Sequence, residues 1–261
     1  SIGELFIAGI GPGLLIGGAL WVTWAWLVRR EKIQPPPRKS MREVLAAARE
    51  ASWALLLPII ILVGLRMGVF TPTEAAVVAA VYAFVVATFV YRELTLRQLY
   101  RVFVGAAKTS AIVMFLIAAA MVSAWLITVA DLPSKVVGLL EPFMGNKILL
   151  MAAIMVLVMV VGTAMDMTPT ILILTPILMP VVNAAGIDPV YFGVMFIINN
   201  SIGLITPPVG VVLNVVAGVG KMRMDDVTRG VLPFMAAEFA VMFLMIFFPI
   251  LVTGPARWFH G

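Results

Sequence analysis

Residues 199–214 read NNSIGLITPPVGVVLN. They lie among segments apolar enough to cross a membrane. Yet the stretch holds paired prolines at 207 and 208, glycines at 203 and 210, and asparagines at 199, 200 and 214. Proline has no amide hydrogen and its ring clashes with the preceding turn, so a helix does not run smoothly through such a pair. Inside a bilayer, free backbone groups are tolerated only within protein or beside a wet cavity. The stretch therefore reads as an interruption placed deliberately in the interior of a membrane protein.

The rest of the chain supports that setting. Of its 261 residues, 62% are apolar and only 12% are charged, with a mean hydropathy of +1.10. Several runs reach the roughly 20 residues needed to cross the hydrocarbon core. No alternating pattern of the kind found in barrels occurs, so the expected fold is an all-α polytopic membrane protein. The absence of cysteine excludes disulfide and thiolate chemistry, and the single histidine, His260, lies beside the C-terminus. The net charge of +5 comes from basic residues that flank apolar spans. Topology explains them better than nucleic acid does. No charged leader precedes the first apolar run, so no signal peptide is read there. The opening also lacks an initiator methionine, and reads like a cut in a longer protein.

A first span covers about 5–28 and ends in WVTWAWLVRREK, an aromatic and basic interface. QPPPRKS follows as a stiff linker. Ser40 and Glu43 fit a capping box that opens a helix over 41–52. Its Met41, Val44, Leu45 and Ala48 share one face, as in a helix lying along a membrane. A second span runs about 53–67. FTPTEAA starts a third, about 72–91, with Thr71 as N-cap, Pro72 as first helical residue and Glu74 closing a second box. Glu74 reads better as this cap than as a buried carboxylate. Residues 95–107 repeat the interfacial pattern, and a fourth span covers about 109–130.

Then the pieces shorten. Residues 147–162 stop at GTAMDMTPT, 169–184 at NAAGIDP, 190–205 at TPPVG and 208–219 at GKMRMDD; the last span, 230–253, is full length. Reading 147–184 as a hairpin that returns to its own side, and 190–219 as one broken crossing, places fourteen Lys and Arg on one side and four on the other. This positive-inside bias puts the C-terminus outside. Two full crossings in place of the hairpin preserve the same parity; the shortness of the segments favours the hairpin.

Three short pieces begin with a cap residue followed by proline: Thr168-Pro169, Asp188-Pro189 and Thr206-Pro207. A helix that stops leaves carbonyl oxygens pointing onward, and one that starts leaves N–H groups pointing back. The first attract cations and the second anions. The interruptions at 162–168 and 203–207 each offer both, and Gly162 and Gly203 let the chain turn there without a clash. Thr163 and Thr206 add hydroxyl oxygens. Such pockets suit a hard cation, for instance sodium, while the positive helix starts suit a carboxylate. Paired interrupted segments are the sequence pointer to a secondary transporter's site, although TPPVG is also compatible with a plain proline kink. Asp166 has two readings, an ion or proton site and a helix-start cap. Asn199, Asn200 and Asn214 line a cavity or bond helix to helix. The 17 methionines read as packing.

SIGELFIAGIGPGLL, GVFTPTEAAVVAAVYAFVV, GTAMDMTPTILILTPILMPVV and GIDPVYFGVMFIINNSIGLITPPVGVVLN, with the closing apolar span, resemble the large (M, DctM-like) membrane subunit of tripartite ATP-independent periplasmic (TRAP) transporters. The resemblance covers the whole chain in order and matches the second half of that longer subunit plus a connecting span. It implies an elevator-type fold of the ion-transporter superfamily, with a re-entrant hairpin at 147–184 and a broken helix at 190–219. It implies scaffold spans with interfacial arms (40–52 and 95–108) over 1–108, a transport domain over 109–229 and a final transmembrane helix over 230–261. Carried over by motif, a sodium ion would sit on Gly162, Gly203, Thr206 and Val209, and Thr163 joins them on the physical reading. Asp166, Thr168, Asn199 and Asn200 are the candidates for substrate. The resemblance further implies import of organic acids such as C4-dicarboxylates or sialic acid across a prokaryotic cytoplasmic (inner) membrane. The implied partners are a periplasmic binding protein (DctP-like) and a small membrane subunit (DctQ-like). An ion-coupled transporter working without a binding protein, an intramembrane hydrolase and a structural subunit without a site are the rival readings. The hydrolase fares poorly, with no Cys, no HExxH and no second buried Asp to meet Asp166.

Overall fold

The computed structural model describes residues 2–32, 39–207 and 210–254. All its regular elements there are helical: α1 (Ile2–Ala8), α2 (Ile10–Arg30), α3 (Met41–Arg66), α4 (Pro72–Val85), α5 (Leu96–Val129), α6 (Leu132–Leu140), α7 (Lys147–Gly162), α8 (Met167–Ala184), α9 (Pro189–Leu204), α10 (Val211–Gly220) and α11 (Met224–Phe247). Six described stretches are long and apolar enough to cross a membrane: Ile2–Arg30, Met41–Arg66, Pro72–Val90, Leu96–Ile127, Met167–Ala184 and Met224–Phe247. The apolar helices α7, α9 and α10 are shorter. Packing divides the chain into two units, Ser1–Ile7 with Lys32–Ala111, and Ala8–Glu31 with Ile112–Gly261.

In the first unit, α3 and α4 form a hairpin pinned by side chains that reach across it. The Tyr82 hydroxyl donates to the Trp53 carbonyl at 2.7 Å and the Tyr91 hydroxyl to the Glu50 carbonyl at 2.9 Å. The arm at 41–52 and the span after it are one unbroken helix, α3. The arm at 95–108 likewise runs on into its span as α5. Nothing in either sequence stops a helix at the junction, and the ladder of backbone hydrogen bonds simply continues. The capping box expected at α4 forms in full, and that expected at α3 forms through its serine half. Ser40 accepts the Glu43 N–H at 3.3 Å. At α4, the Glu74 N–H donates to Thr71 Oγ1 at 3.3 Å, and the Thr71 N–H to Glu74 Oε2 at 2.8 Å. Glu74 is thus a capping residue. Thr71→Ala removes half of this box, and the thermal unfolding midpoint is expected to fall by an amount equivalent to about 1 kcal/mol, with Thr71→Ser close to the parent.

Large apolar side chains on these long helices, among them Leu45, Leu55, Phe103, Phe115 and Trp125, are exposed on the protein. That is the arrangement required where lipid is the solvent. The buried core lies instead in the second unit. Leu150, Met151, Ile154, Met155 and Val158 of α7 meet Phe192, Met195 and Phe196 of α9, with Met242, Met245 and Ile246 of α11 alongside. Five of these residues are methionine, whose unbranched chains fill gaps between crossing helices.

α7 and α8 pack together as a helical hairpin, and α9 packs against both. At the hairpin's base, Lys147 Nζ donates to the Gly186 carbonyl at 2.7 Å, so α7 begins where α8 has just ended. Asn146 caps α7 through the N–H groups of Ile148 and Leu149, and Asp188 caps α9 through those of Val190 and Tyr191. Of the three predicted cap-proline starts, only Asp188-Pro189 takes that form. The N-cap of α8 is Asp166, so the helix begins two residues earlier than its proline implied and reaches 18 residues. Pro169 is tolerated in the first turn, where its missing N–H would be unpaired in any case. The start of α10 lies at Gly210, with φ +47°, leaving Thr206 and Pro207 in the connection. Pro176 and Pro180 lie inside α8.

Candidate functional site

The two interruptions meet. The last residue of α7, Gly162, faces Gly203 in the final turn of α9 so closely that no side chain fits between them. A Cβ built on Gly203 would stand 2.9, 3.0 and 3.1 Å from the carbonyl carbon, Cα and carbonyl oxygen of Gly162. This is why both are glycine. Neither has a positive φ among the described residues. The turn that the sequence reading assigned to them is made elsewhere, and what they supply is close backbone approach.

Asn199 and Asn200 sit one turn before Gly203, and both are 0% exposed. Asn199 Nδ2 donates to the Met155 carbonyl of α7. Asn200 Nδ2 reaches the Met167 carbonyl at the start of α8, at 3.4 Å. α9 is therefore bonded to both limbs of the hairpin. In each case the amide nitrogen is engaged and the oxygen is not: Asn199 Oδ1 and Asn200 Oδ1 are buried without a hydrogen-bond partner among the described residues. Asn200 Oδ1 points at Gly162, where it would stand 2.7 Å from a Cβ on that residue.

Thr206 joins this group through the backbone, its N–H donating to the Gly203 carbonyl at 3.0 Å. Its hydroxyl donates to the Ile202 carbonyl at 2.7 Å and lies 3.4 Å from Met235 Sδ. That leaves the lone pairs of Oγ1 available. Thr163 follows Gly162, but its hydroxyl donates back to the Val160 carbonyl at 2.8 Å. Val209 lies outside the described residues. Asp166 is exposed at the hairpin's tip, its Oδ1 accepting the Met167 N–H at 2.8 Å, and Thr168 follows half-buried in the first turn of α8. Sequence reasoning missed Thr170. It is fully buried and its hydroxyl closes the same turn on the Asp166 carbonyl at 2.8 Å. A threonine four residues after a helix cap is the signal that could have found it.

The oxygens that the residues near this contact carry are uncharged: the Gly162 carbonyl, the Asn200 carboxamide and the Thr206 hydroxyl. Among the described residues no cluster of three or more His, Cys, Asp or Glu exists. A transition metal or tightly held divalent ion calls for such ligands, whereas neutral hard oxygens suit a monovalent hard cation. An unpartnered buried oxygen aimed at the junction fits a cation there.

Long apolar helices, together with shorter apolar ones of which two touch at Gly162 and Gly203, have the pattern of a membrane transport protein. Residues 1–251 match the family described as tripartite ATP-independent periplasmic transporter, DctM component. The chain belongs to that family of multi-pass bacterial membrane permeases, which are transporters rather than enzymes. It is 52% identical over 260 residues to the 2,3-diketo-L-gulonate TRAP transporter large permease protein YiaN of Escherichia coli, covering 100% of this chain and 61% of that protein. It is 38% identical over 258 residues to the C4-dicarboxylate TRAP transporter large permease protein DctM of Pseudomonas aeruginosa, covering 99% of this chain and 60% of that one. It is also 38% identical over 250 residues to the isethionate TRAP transporter permease protein DctMQ of Oleidesulfovibrio alaskensis, covering 95% of this chain and 39% of that protein. The chain thus spans about 61% of the length of the first of these relatives.

Proposed function

We propose that this chain carries the second hairpin and ion site of a sodium-coupled secondary transporter that imports an organic anion delivered by a periplasmic binding protein. The observation that carries the reading is the contact of Gly162 with Gly203, beside a buried and unpartnered Asn200 oxygen. Gly162, Gly203 and Thr206 would hold the ion, with Val209 the fourth position of the motif and Thr163 beside it. The bound sodium would supply positive charge to draw the anion. Asp166 and Thr168 at the tip, with the N–H groups that open α8, lie where substrate would be oriented. Asn199 and Asn200 hold the floor of that site.

The hairpin is read as re-entrant, and α9 with α10 as one interrupted crossing. Together they form the moving part of an elevator, 109–229, against scaffold spans in 1–108 and a final helix over 230–261. Relatives named for 2,3-diketo-L-gulonate, C4-dicarboxylates and isethionate all act on organic anions. The relative named DctMQ supports a small DctQ-like subunit as partner, beside a DctP-like binding protein.

The test is uptake into proteoliposomes by the complete permease with its small subunit and binding protein, with and without an inward sodium gradient. Thr206→Ala is expected to raise the half-saturating sodium concentration about ten-fold, equivalent to ~1.4 kcal/mol. Unchanged sodium activation in that variant refutes the site, and uptake that ignores the binding protein favours a two-component carrier instead.

A further inference from the structure

We infer that Asn200 is a dual-purpose coupling residue: its Oδ1 is a ligand of the cation at the Gly162–Gly203 junction, and its Nδ2 ties that ion to the hairpin's tip. This deepens the proposed function and rests on a cation binding there.

The argument begins with the orientation of the amide. Nδ2 faces the Met167 carbonyl at 3.4 Å. Turning the group over would set oxygen against oxygen, so the donor end is fixed on Met167. The other end then has to face Gly162, where it is buried and unpartnered among the described residues. An asparagine that only joins two helices uses both ends, because a buried polar atom left unmatched is unfavourable. Asn200 uses one. Its free oxygen is a strong acceptor in an apolar interior, aimed at Gly162 and carried one turn from Gly203.

The consequence lies at the far end of the amide. Met167 opens α8 and follows Asp166, whose carboxylate caps that helix. Thr168 comes next in sequence. When Oδ1 is held by a cation, the carboxamide plane is fixed, and with it the bond from Nδ2 to Met167. Ion binding therefore orders residues 163–168, the part of the hairpin proposed to meet substrate. When Oδ1 is released, the long bond to Met167 is free to break and the tip loosens.

The experiment uses the complete permease purified in detergent, titrated with sodium chloride against choline chloride at constant ionic strength. Two readouts are followed, the thermal unfolding midpoint and hydrogen exchange of residues 163–168. In the parent protein, sodium is expected to raise the midpoint and slow exchange at the tip. Asn200→Leu is expected to raise the half-saturating sodium concentration about ten-fold or abolish the shift. Asn200→Asp keeps an oxygen for the ion but sets a carboxylate against the Met167 carbonyl. It should retain the thermal shift while sodium no longer slows exchange at the tip. If the parent shows no sodium shift, both the cation site and this coupling fall. If the parent responds and Asn200→Leu responds with the same half-saturation, the coupling alone falls. Should Asn200→Leu fail to fold, sodium-dependent protection of the tip in Asn200→Asp equal to the parent's is sufficient to overturn it.

Discussion

Uptake by a Gly203→Ala variant of the complete permease is expected to fall at least about 100-fold, equivalent to ~2.7 kcal/mol in the barrier. A drop of several degrees in the thermal midpoint should accompany it. The new methyl would lie about 3 Å from three backbone atoms of Gly162, and backbone, unlike the end of a side chain, has nowhere to rotate. α7 and α9 must part by some tenths of an ångström, and overpacking of this kind costs about 1–3 kcal/mol. The same separation draws the Gly162 carbonyl away from Gly203 and so alters the proposed ion site. Gly162→Ala should be milder in stability, because its methyl first meets a side-chain atom, Asn200 Oδ1, which yields at the cost of the long Asn200–Met167 bond. Gly218→Ala is the control: a methyl there meets nothing within 4 Å, and alanine should be neutral or slightly stabilising in α10. Parent-like uptake in Gly203→Ala would show that close contact between the two interruptions is not needed.

Asn199→Leu should have the opposite signature, a more stable protein that transports poorly. Asn199 is fully buried, with its oxygen unpartnered and its nitrogen on the Met155 carbonyl. That carbonyl lies inside α7, with a helical donor of its own one turn on, so removing the amide leaves no new orphan. Leucine has similar size, forfeits one hydrogen bond of about 1 kcal/mol, and relieves an unmatched acceptor costing about 1–3 kcal/mol. The midpoint is therefore expected to rise, by the equivalent of about 1 kcal/mol. Uptake should fall several-fold, because the polar floor of the proposed substrate site becomes oil-like. A lowered midpoint in this variant would mean that the Asn199 oxygen already has a partner that stabilises it.

These expectations rest on features that were legible in the sequence to very different degrees. Local chemistry read well. The Thr71–Glu74 and Ser40–Glu43 boxes are short-range devices; the first forms in full and the second by its Ser40 cap. Helix ends also fall close to the interruptions expected at 162–168 and 203–207: α7 stops at Gly162 and α9 at Leu204. The mistakes arose where a residue's role depends on something distant. Gly162 and Gly203 look like turn glycines when each is read alone. Only the fold, which packs residues 41 positions apart, shows them as a single contact. Thr168 and Thr206 resemble helix caps because proline follows them, yet Asp166 and Gly210 take those places. A carboxylate caps better than threonine, and proline is permitted anywhere in a first turn. The interfacial arms were separated from their spans by a change in polarity, but polarity does not end a helix. Which carbonyls receive the two asparagines was beyond any pattern in the sequence.

Pro176 and Pro180 in α8 have a mechanical consequence. Each proline removes one rung from its helix, so the carbonyls of Leu172 and Pro176 lack the donors that an ordinary helix provides. α7 has no proline and keeps its ladder whole. The two limbs of the hairpin are therefore unequal springs, one stiff and one compliant. Strain introduced at the tip will bend α8 before it disturbs the limb that ends at Gly162.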